Sequence, residues 1–486
     1  MISNIGWNFD NTYSKMSRIL LSKVDPVPTV SPNLVLLNSP LSKQLNLDFS
    51  KLQDSDLAKM LSGNLLPPGS MAIAQAYAGH QFGYFTMLGD GRAVLLGEHI
   101  NKYGVRFDIQ LKGSGKTPYS RSGDGRAALG PVLREYIISE AMYALGIQTT
   151  RALSVVTTGE NVVRETLLPG AVLTRVASSH LRVGTFQYVA MKNDLSVLRG
   201  LVNYTIDRHY PHLVKSKNKA LELLKNIIEK QINLIVDWMR VGFVHGVMNT
   251  DNMSVSGETI DYGPCAFMNS YNIKTVFSSI DHQGRYCYGN QPVIAHWNLL
   301  RFAEALLPLI NKNEKKAIDE VNSVFSDFNQ KYKKKWLGMM KNKLGLLGEN
   351  NSDESLVGDL LGWMESGGAD FTNTFIFLTE NKTLKGCSFD DGVIKVWLKR
   401  WKERINSNKG SLAESIKIMK KNNPLIIPRN HIVERVLEEA VYNKNFSPLK
   451  RLIVVLKNPY MSSVGIEEYQ DPPAGGDIGF KTFCGT

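Results

Sequence analysis

Residues 218–241 constrain this chain more than any other stretch. Leu221, Leu224, Ile228, Ile232, Ile235 and Trp238 recur every three or four residues, so a helix places them on one stripe. A stripe of that length marks a face packed against the rest of the fold. Gly242 suits the left-handed stop of such a helix. The rest of the chain reads differently on either side of it. Residues 1–70 read as an irregular N-terminal extension ending in Leu66-Pro67-Pro68-Gly69. Residues 71–174 carry strand and turn patterns, with strands at 93–96, 106–111 and 171–173 and one helix at 131–145. That helix repeats Leu133, Ile137, Ala141 and Leu145, with Pro131 in its first turn and Gly146 as its stop. Residues 175–430 are mainly helical, with further helices at 295–306 and 318–337. Residues 431–486 hold a last helix, 432–441, and an extended tail. The expectation is an α+β fold of two lobes, strand-rich then helical, with a cleft where they meet.

A chain of 486 residues with 43% hydrophobic side chains can bury a sizeable core, and 21% charged residues place it outside the disordered class. No run of about 18 apolar residues occurs; the best candidate, 232–244, is broken by Asp237 and Arg240. The first 16 residues carry Asp10 and lack a signal core or an Arg-rich transit pattern. These features predict a soluble, cytoplasmic protein without a membrane partner. The net charge is +12, and much of the excess lies in 312–343, around Lys333, Lys334 and Lys335. No helix-turn-helix, zinc-finger or RNA-binding signature accompanies the lysines, so a solvated helical face is expected and a nucleic-acid partner is not. None of the four cysteines, Cys265, Cys287, Cys387 and Cys484, forms a Cys-x-x-Cys pair, which argues against a zinc knuckle or a disulfide framework.

The chemistry concentrates in His245-Gly246-Val247-Met248-Asn249-Thr250-Asp251-Asn252 and Asp261-Tyr262-Gly263. Protein kinases carry a His-Arg-Asp loop, an Asn five residues beyond the Asp, and then Asp-Phe-Gly. In that frame His245 matches the His, Asn252 the metal-binding Asn and Asp261 the metal-binding Asp. Two short strands, 253–255 and 258–260, turning at Ser256-Gly257, would set Asn252 opposite Asp261 about 5 Å apart. An amide oxygen and a carboxylate at that spacing suit Mg²⁺. Val247 stands where a kinase holds its catalytic base and cannot accept a proton. Asp251 is the nearby carboxylate able to do so. The residues alone leave two readings open: catalysis is lost, or the reacting phosphorus sits elsewhere.

A phosphate site between such lobes also needs a strand lysine fixed by a helix carboxylate. Lys112 follows the 106–111 strand, and Glu135 lies in the early turns of the 131–145 helix. Glycine-rich turns flank this lysine: Gly89-Asp90-Gly91-Arg92 and Gly113-Ser114-Gly115-Lys116-Thr117. Gln110 replaces the first glycine of a Walker motif, so a P-loop is excluded, although such turns can still cradle phosphate. Arg92, Lys112, Lys116, Arg126, Arg175 and Arg182 together suggest a polyphosphate clamp.

Several longer segments then carry a family resemblance. Tyr77-Ala78-Gly79-His80-Gln81-Phe82-Gly83, Leu88-Gly89-Asp90-Gly91-Arg92-Ala93 and Gln110-Leu111-Lys112-Gly113 resemble hallmarks of the selenoprotein O family. Thr117-Pro118-Tyr119-Ser120-Arg121, Gly123-Asp124-Gly125-Arg126 and Asp281-His282-Gln283-Gly284-Arg285-Tyr286 do so as well. The resemblance runs from about residue 7 to Phe483-Cys484-Gly485-Thr486. It implies a bilobal protein-kinase-like fold that binds ATP in an inverted orientation and transfers AMP to Ser, Thr or Tyr hydroxyls of protein substrates. Attack at the α-phosphorus, with pyrophosphate leaving, would account for Val247. UTP as a donor of UMP, a kinase-like transfer of the γ-phosphate and a catalytically silent nucleotide-binding pseudokinase stand beside this expectation. Carried over by residue, Gly89, Gly91, Arg92, Lys112, Asp124, Gly125, Arg175 and Arg182 would contact nucleotide. Asn252 and Asp261 would hold Mg²⁺ or Mn²⁺, Asp251 would accept the proton, and Glu135 would position Lys112. The resemblance also implies a redox role for Cys484, but Phe277 occupies the place of its partner in relatives.

Overall fold

The computed structural model describes residues 5–483. The strands of the first half are Leu21–Lys23 (β1), Asn33–Leu37 (β2), Ile73–Gln75 (β3), Ala78–Gln81 (β4) and Tyr84–Met87 (β5). They continue with Ala93–Ile100 (β6), Arg106–Lys112 (β7), Ala127–Ala128 (β8), Arg151–Val163 (β9) and Leu167–Ala177 (β10). One sheet takes the order β1-β3-β6-β7-β10-β9-β2, with β8 beside β10, and β4 pairs with β5 apart from it. The pairings in the sheet are antiparallel. The segment read as irregular, 1–70, supplies both ends of this sheet through β1 and β2. Strands of three and five residues are too short to carry a readable alternation. It also supplies helices Ser39–Gln44 (α1) and Asp54–Ser62 (α2), whose Leu41, Leu57 and Leu61 pack with Ile109, Leu111 and Val176.

Strand alternation then decides what faces the other way. With Ile109 and Leu111 turned to that core, Asp108, Gln110 and Lys112 point to the opposite face. On β10, Val172 and Val176 turn to the same core and Arg175 turns away with Leu173. Register sets Arg175 opposite Gln110 and Leu173 opposite Lys112. Helix Leu129–Ala144 (α3) covers this second face and buries Leu133, Ile137 and Ala141. It begins two residues before the expected start.

The helical half follows as Val183–Met191 (α4), Leu195–His209 (α5), Lys219–Val241 (α6), Gln291–Ile310 (α7), Glu314–Phe325 (α8) and Phe328–Leu344 (α9). Helix α6 starts at Asn218, whose side chain accepts the Leu221 N–H, and ends on Gly242 at φ 72°. Its stripe from Leu224 to Trp238 is buried. The single helix expected at 318–337 is two helices. Ser326 hydrogen-bonds back to the Ser323 carbonyl, a local competitor of the helical ladder, and Asp327 opens the next segment. Lys333 and Lys335 pair across the surface with Glu354 and Glu229. One helical stretch, Tyr288–Ile310, is long and apolar enough to cross a membrane, and half of it is buried inside the protein.

An ionic cluster fastens the sheet to the helical half close to Lys112. Asp108 on β7 accepts from the His180 N–H at 2.9 Å and contacts its ring Nδ1 at 3.0 Å, while Arg208 on α5 donates to it at 2.6 Å. Arg208 also pairs with Glu98 on β6 at 2.9 Å. Burial pushes His180 down to about 4, against the opposing pull of Asp108. A histidine with a depressed folded pKa stabilises the fold above its unfolded value near 6.5, and that stability is lost as pH falls toward 4. Melting wild type and His180→Gln side by side checks this. The advantage of the wild type should shrink, by on the order of 3 kcal/mol, between pH 7 and pH 4. A gap that stays constant with pH contradicts a neutral His180.

Candidate active site

A cavity of 750 Å³ lies where the Lys112 face of the sheet meets the helical half. Its lining includes Gly89, Gly91, Arg92, Lys112, Asp124 and Gly125 from the first half, with Glu135 on α3. Arg175, Arg182, Val247, Asp251, Asn252 and Asp261 complete the set expected from sequence. Lys116, counted above among the clustered cations, is exposed and does not line it. Arg126 lines it, but its guanidinium donates to the carbonyls of Val27 and Pro28 and pairs with Glu160.

Three cations converge on one carboxylate. Lys112 Nζ lies 2.5 Å from Glu135 Oε2 and 3.1 Å from Asp261 Oδ1. Arg175 Nη1 donates to Asp261 Oδ1 at 2.5 Å and approaches Glu135 Oε1 at 3.3 Å. Gln110, its strand neighbour, accepts from Arg175 Nη2 at 2.6 Å. Arg182 reaches Asp261 Oδ2 at 2.9 Å and the Asp251 carbonyl at 2.9 Å, over the ring of Tyr77. Burial alone would raise Asp261, but Lys112, Arg175 and Arg182 hold it well below the usual carboxylate range. Asp261 has φ 62°, a left-handed backbone that Asp tolerates better than most residues.

The loop from 245 to 261 is held differently from the expected hairpin. Residues 253–255 and 258–260 do not pair with each other. Ser254 bridges to Arg182 and Thr259 to Thr149. Val255 N–H donates to the Leu181 carbonyl, and Thr150 N–H to that of Thr259. The flanking pair is instead Phe243–Val244 (β11) with Ala266–Phe267 (β12). Asn252 and Asp261 still reach one cavity, because β11 and β12 bracket the loop while the segments before α4 and β9 take up its backbone groups. His245 is buried, kept neutral by burial, and its Nε2 contacts the Ile260 carbonyl at 3.0 Å.

Asp251 is buried, and burial pushes it up to about 6 against the pull of Arg182. Its Oδ1 has no hydrogen-bond partner. Asn252 commits its amide nitrogen to the Val247 carbonyl at 3.0 Å, which leaves its oxygen available. The Asn252 amide oxygen and the Asp261 carboxylate are hard oxygen donors lining one cavity, a pair that fits Mg²⁺ or Mn²⁺ bound together with phosphate.

The glycine turn is shaped by Tyr119. A Cβ on Gly89, at φ 141°, would fall 2.4 Å from the Tyr119 ring, and one on Gly91 would fall 2.8 Å from its carbonyl. Asp90 between them is buried and pushed up to about 6 by burial; Gln75 N–H and the Gln110 amide donate to it. Asp124 is held low by two hydrogen bonds from Arg164. Sequence reading passed over Tyr77, Gln81, Tyr119 and Arg164 as lining groups. For the first three, their place inside the Tyr77–Gly83 and Thr117–Arg121 segments was the available signal. Cys484 lies outside the described residues. Phe277 is buried against Phe480, and Cys265 and Cys287 are free thiols, both raised by burial, Cys265 to about 12.

The family described as "Protein adenylyltransferase SelO" matches residues 4–457. The chain is 56% identical over 483 residues to "Protein nucleotidyltransferase YdiU" of Pelagibacter ubique (strain HTCC1062), covering 99% of this chain and 100% of that one. It is 54% identical over 481 residues to the protein of the same name from Geobacillus kaustophilus (strain HTA426), covering 99% of each. Against that of Nitrosococcus oceani it is 53% identical over 483 residues, covering 99% and 98%. With a family match over nearly its whole length, and relatives of this identity spanning it end to end, the chain belongs to the SelO family of protein adenylyltransferases.

Proposed function

We propose that this protein transfers AMP from ATP to Ser, Thr or Tyr hydroxyls of other proteins and releases pyrophosphate, with UTP as an alternative donor of UMP. The activity sits on a protein-kinase-like fold, with 71–174 as the strand-rich lobe and 175–430 as the helical lobe. Residues 1–70 and 431–486 extend it, and the protein acts in the cytoplasm. The carrying observation is the convergence of Lys112, Arg175 and Arg182 on Asp261 in a cavity that Asp251 also lines, with Val247 where a γ-phosphate base would stand.

The chain's own residues divide the work. Lys112, fixed by Glu135, and the two arginines neutralise the pyrophosphate as it departs, an electrostatic role prepared before substrate arrives. Gly89 and Gly91 keep the turn clear of side chains, so backbone can approach the nucleotide. Arg92, Asp124 and Gly125 hold its remaining polar groups. Asp251 takes the proton from the attacking hydroxyl; burial already brings its carboxyl toward the acidity a base near neutral pH requires. Asn252 and Asp261 would hold Mg²⁺ or Mn²⁺, which supplies positive charge to the phosphate oxygens during transfer.

ATP labelled at the α- or the γ-phosphate, incubated with a dialysed cell extract, tests the reaction. Label should reach protein from the α position only, and chelation with EDTA should abolish it. Covalent label from the γ position alone refutes the proposal in favour of phosphotransfer, and no label from either favours a silent nucleotide-binding protein. Asp251→Ala should lower the transfer rate roughly 10²- to 10⁴-fold while ATP binding persists. Asp261→Ala should weaken metal-dependent ATP binding and turnover together, measured by calorimetry and label transfer.

A further inference from the structure

The hairpin β4–β5 contains the Tyr77–Gly83 segment and belongs to no nucleotide contact assigned above. Its strands pair Ala78 with Met87, Gly79 with Thr86, His80 with Phe85 and Gln81 with Tyr84. The two turn residues, Phe82 and Gly83, have φ 51° and 93°, the paired left-handed geometry of a tight hairpin turn. The hairpin stands apart from the main sheet, so its reason for folding lies in what it touches.

It lies on the loop that carries Asp251. The His80 N–H donates to Thr250 Oγ1 at 2.7 Å, and the Phe82 N–H to Asn249 Oδ1 at 3.1 Å. Tyr286 donates its hydroxyl to the same Asn249 oxygen at 2.6 Å, and its ring packs on Phe82 at 5.0 Å. Gly79 lies against the carboxylate itself. A Cβ there would sit 2.2 Å from Asp251 Oδ1 and 2.7 Å from Asp251 Cγ. The far side is equally close, since a Cβ on Gly184 of α4 would meet the Ala78 carbonyl at 1.9 Å. Gln81, two residues beyond Gly79 on the same face of β4, lines the cavity that Asp251 also lines. Two backbone donors thus fix the loop, one missing side chain leaves space for the carboxylate, and one amide on the same strand face enters its cavity.

We propose that the β4–β5 hairpin positions the proton acceptor, with Gln81 orienting the Asp251 carboxylate and Gly79 leaving the room it occupies. Gln81 is a positioning residue acting through Asp251, and Gly79 can be no larger. The inference rests on the role given to Asp251 under the proposed function, and the experiment separates the two.

Label transfer from α-labelled ATP onto a dialysed extract is measured for Gln81→Met, which keeps the shape and loses the amide, and for Gly79→Ala. Gln81→Met should lower the maximal rate ten- to a hundredfold, with the KM for ATP within about twofold of wild type. Gln81→Asn, which keeps an amide on a shorter arm, should recover part of that loss. In an Asp251→Asn background Gln81→Met should cost nothing more, because its effect passes through the missing carboxylate. A crystal structure of Gln81→Met should show Asp251 in a changed rotamer. An additive loss in the double variant, a KM effect without a rate effect, or an unmoved Asp251 overturns the inference. Gly79→Ala is read only alongside its melting temperature and ATP affinity; a stable, ATP-binding Gly79→Ala with wild-type turnover also overturns it. Full activity of Asp251→Asn itself would instead remove the proposed function's base.

Discussion

Asp261 is the point at which the two halves of this protein are joined electrically. Its two oxygens take Lys112 from β7, Arg175 from β10 and Arg182 from the segment entering α4. Each cation comes from a different element, so one carboxylate ties the sheet to the helical half across the cavity. Burial makes the arrangement consequential. Arg175 and Arg182 are almost entirely removed from water, and a buried guanidinium without a partner costs several kcal/mol. Glu135 and Gln110 take part of that load, and Asp90 lies 3.9 Å from Arg182. The cluster is therefore rigid before any ligand arrives.

Such a cluster carries more positive charge than Asp261 can neutralise by itself. On the proposed function, a triphosphate entering the cavity would meet three donors whose entropy of ordering has already been lost in folding. The same cost explains the buried Asp90 and Asp251, whose carboxyls burial raises in opposition to the neighbouring arginine. Within one cavity, three cations hold the Asp261 carboxyl well below the usual range while burial raises that of Asp251 to about 6. Environments that push two carboxyls apart in this way divide a charge-holding role from a proton-accepting one.

The sequence displayed some of this directly. Lys112 on a strand and Glu135 on a helix were readable because period-two and period-four patterns put each on a definite face, and the structure brings them to 2.5 Å. The stripe of α6 was readable for the same reason, and Gly242 marked its stop. Asn252 and Asp261 were brought together by a different route from the one expected. Local turn chemistry suggested a hairpin, whereas backbone partners from 149–150 and 181–183 won the hydrogen bonds. Only tertiary pairing decides that contest. Arg175 and Arg182 gave no local signal beyond their charge, since what buries them is the register of β10 on β7 and the approach of Asp261. The edge strands β1 and β2 were hidden by brevity, and the break between α8 and α9 by a lysine-rich run that continues helical across Ser326.

The hairpin over Asp251 adds a directional constraint. With Gly79 pressed against Oδ1 on one side and the Arg182 guanidinium on the Asp251 carbonyl, the carboxylate is approachable from the cavity and not from behind. A hydroxyl arriving there can attack only a phosphorus lying between it and the cations that receive the leaving group. Lys112, Arg175 and Arg182 all stand on the Asp261 side of that line. On the proposed assignment, then, the departing pyrophosphate lies deep and the nucleoside lies toward the glycine turn and Asp124. Val247 follows from the same geometry. On that assignment an apolar side chain there accepts no proton, and the transfer falls to Asp251.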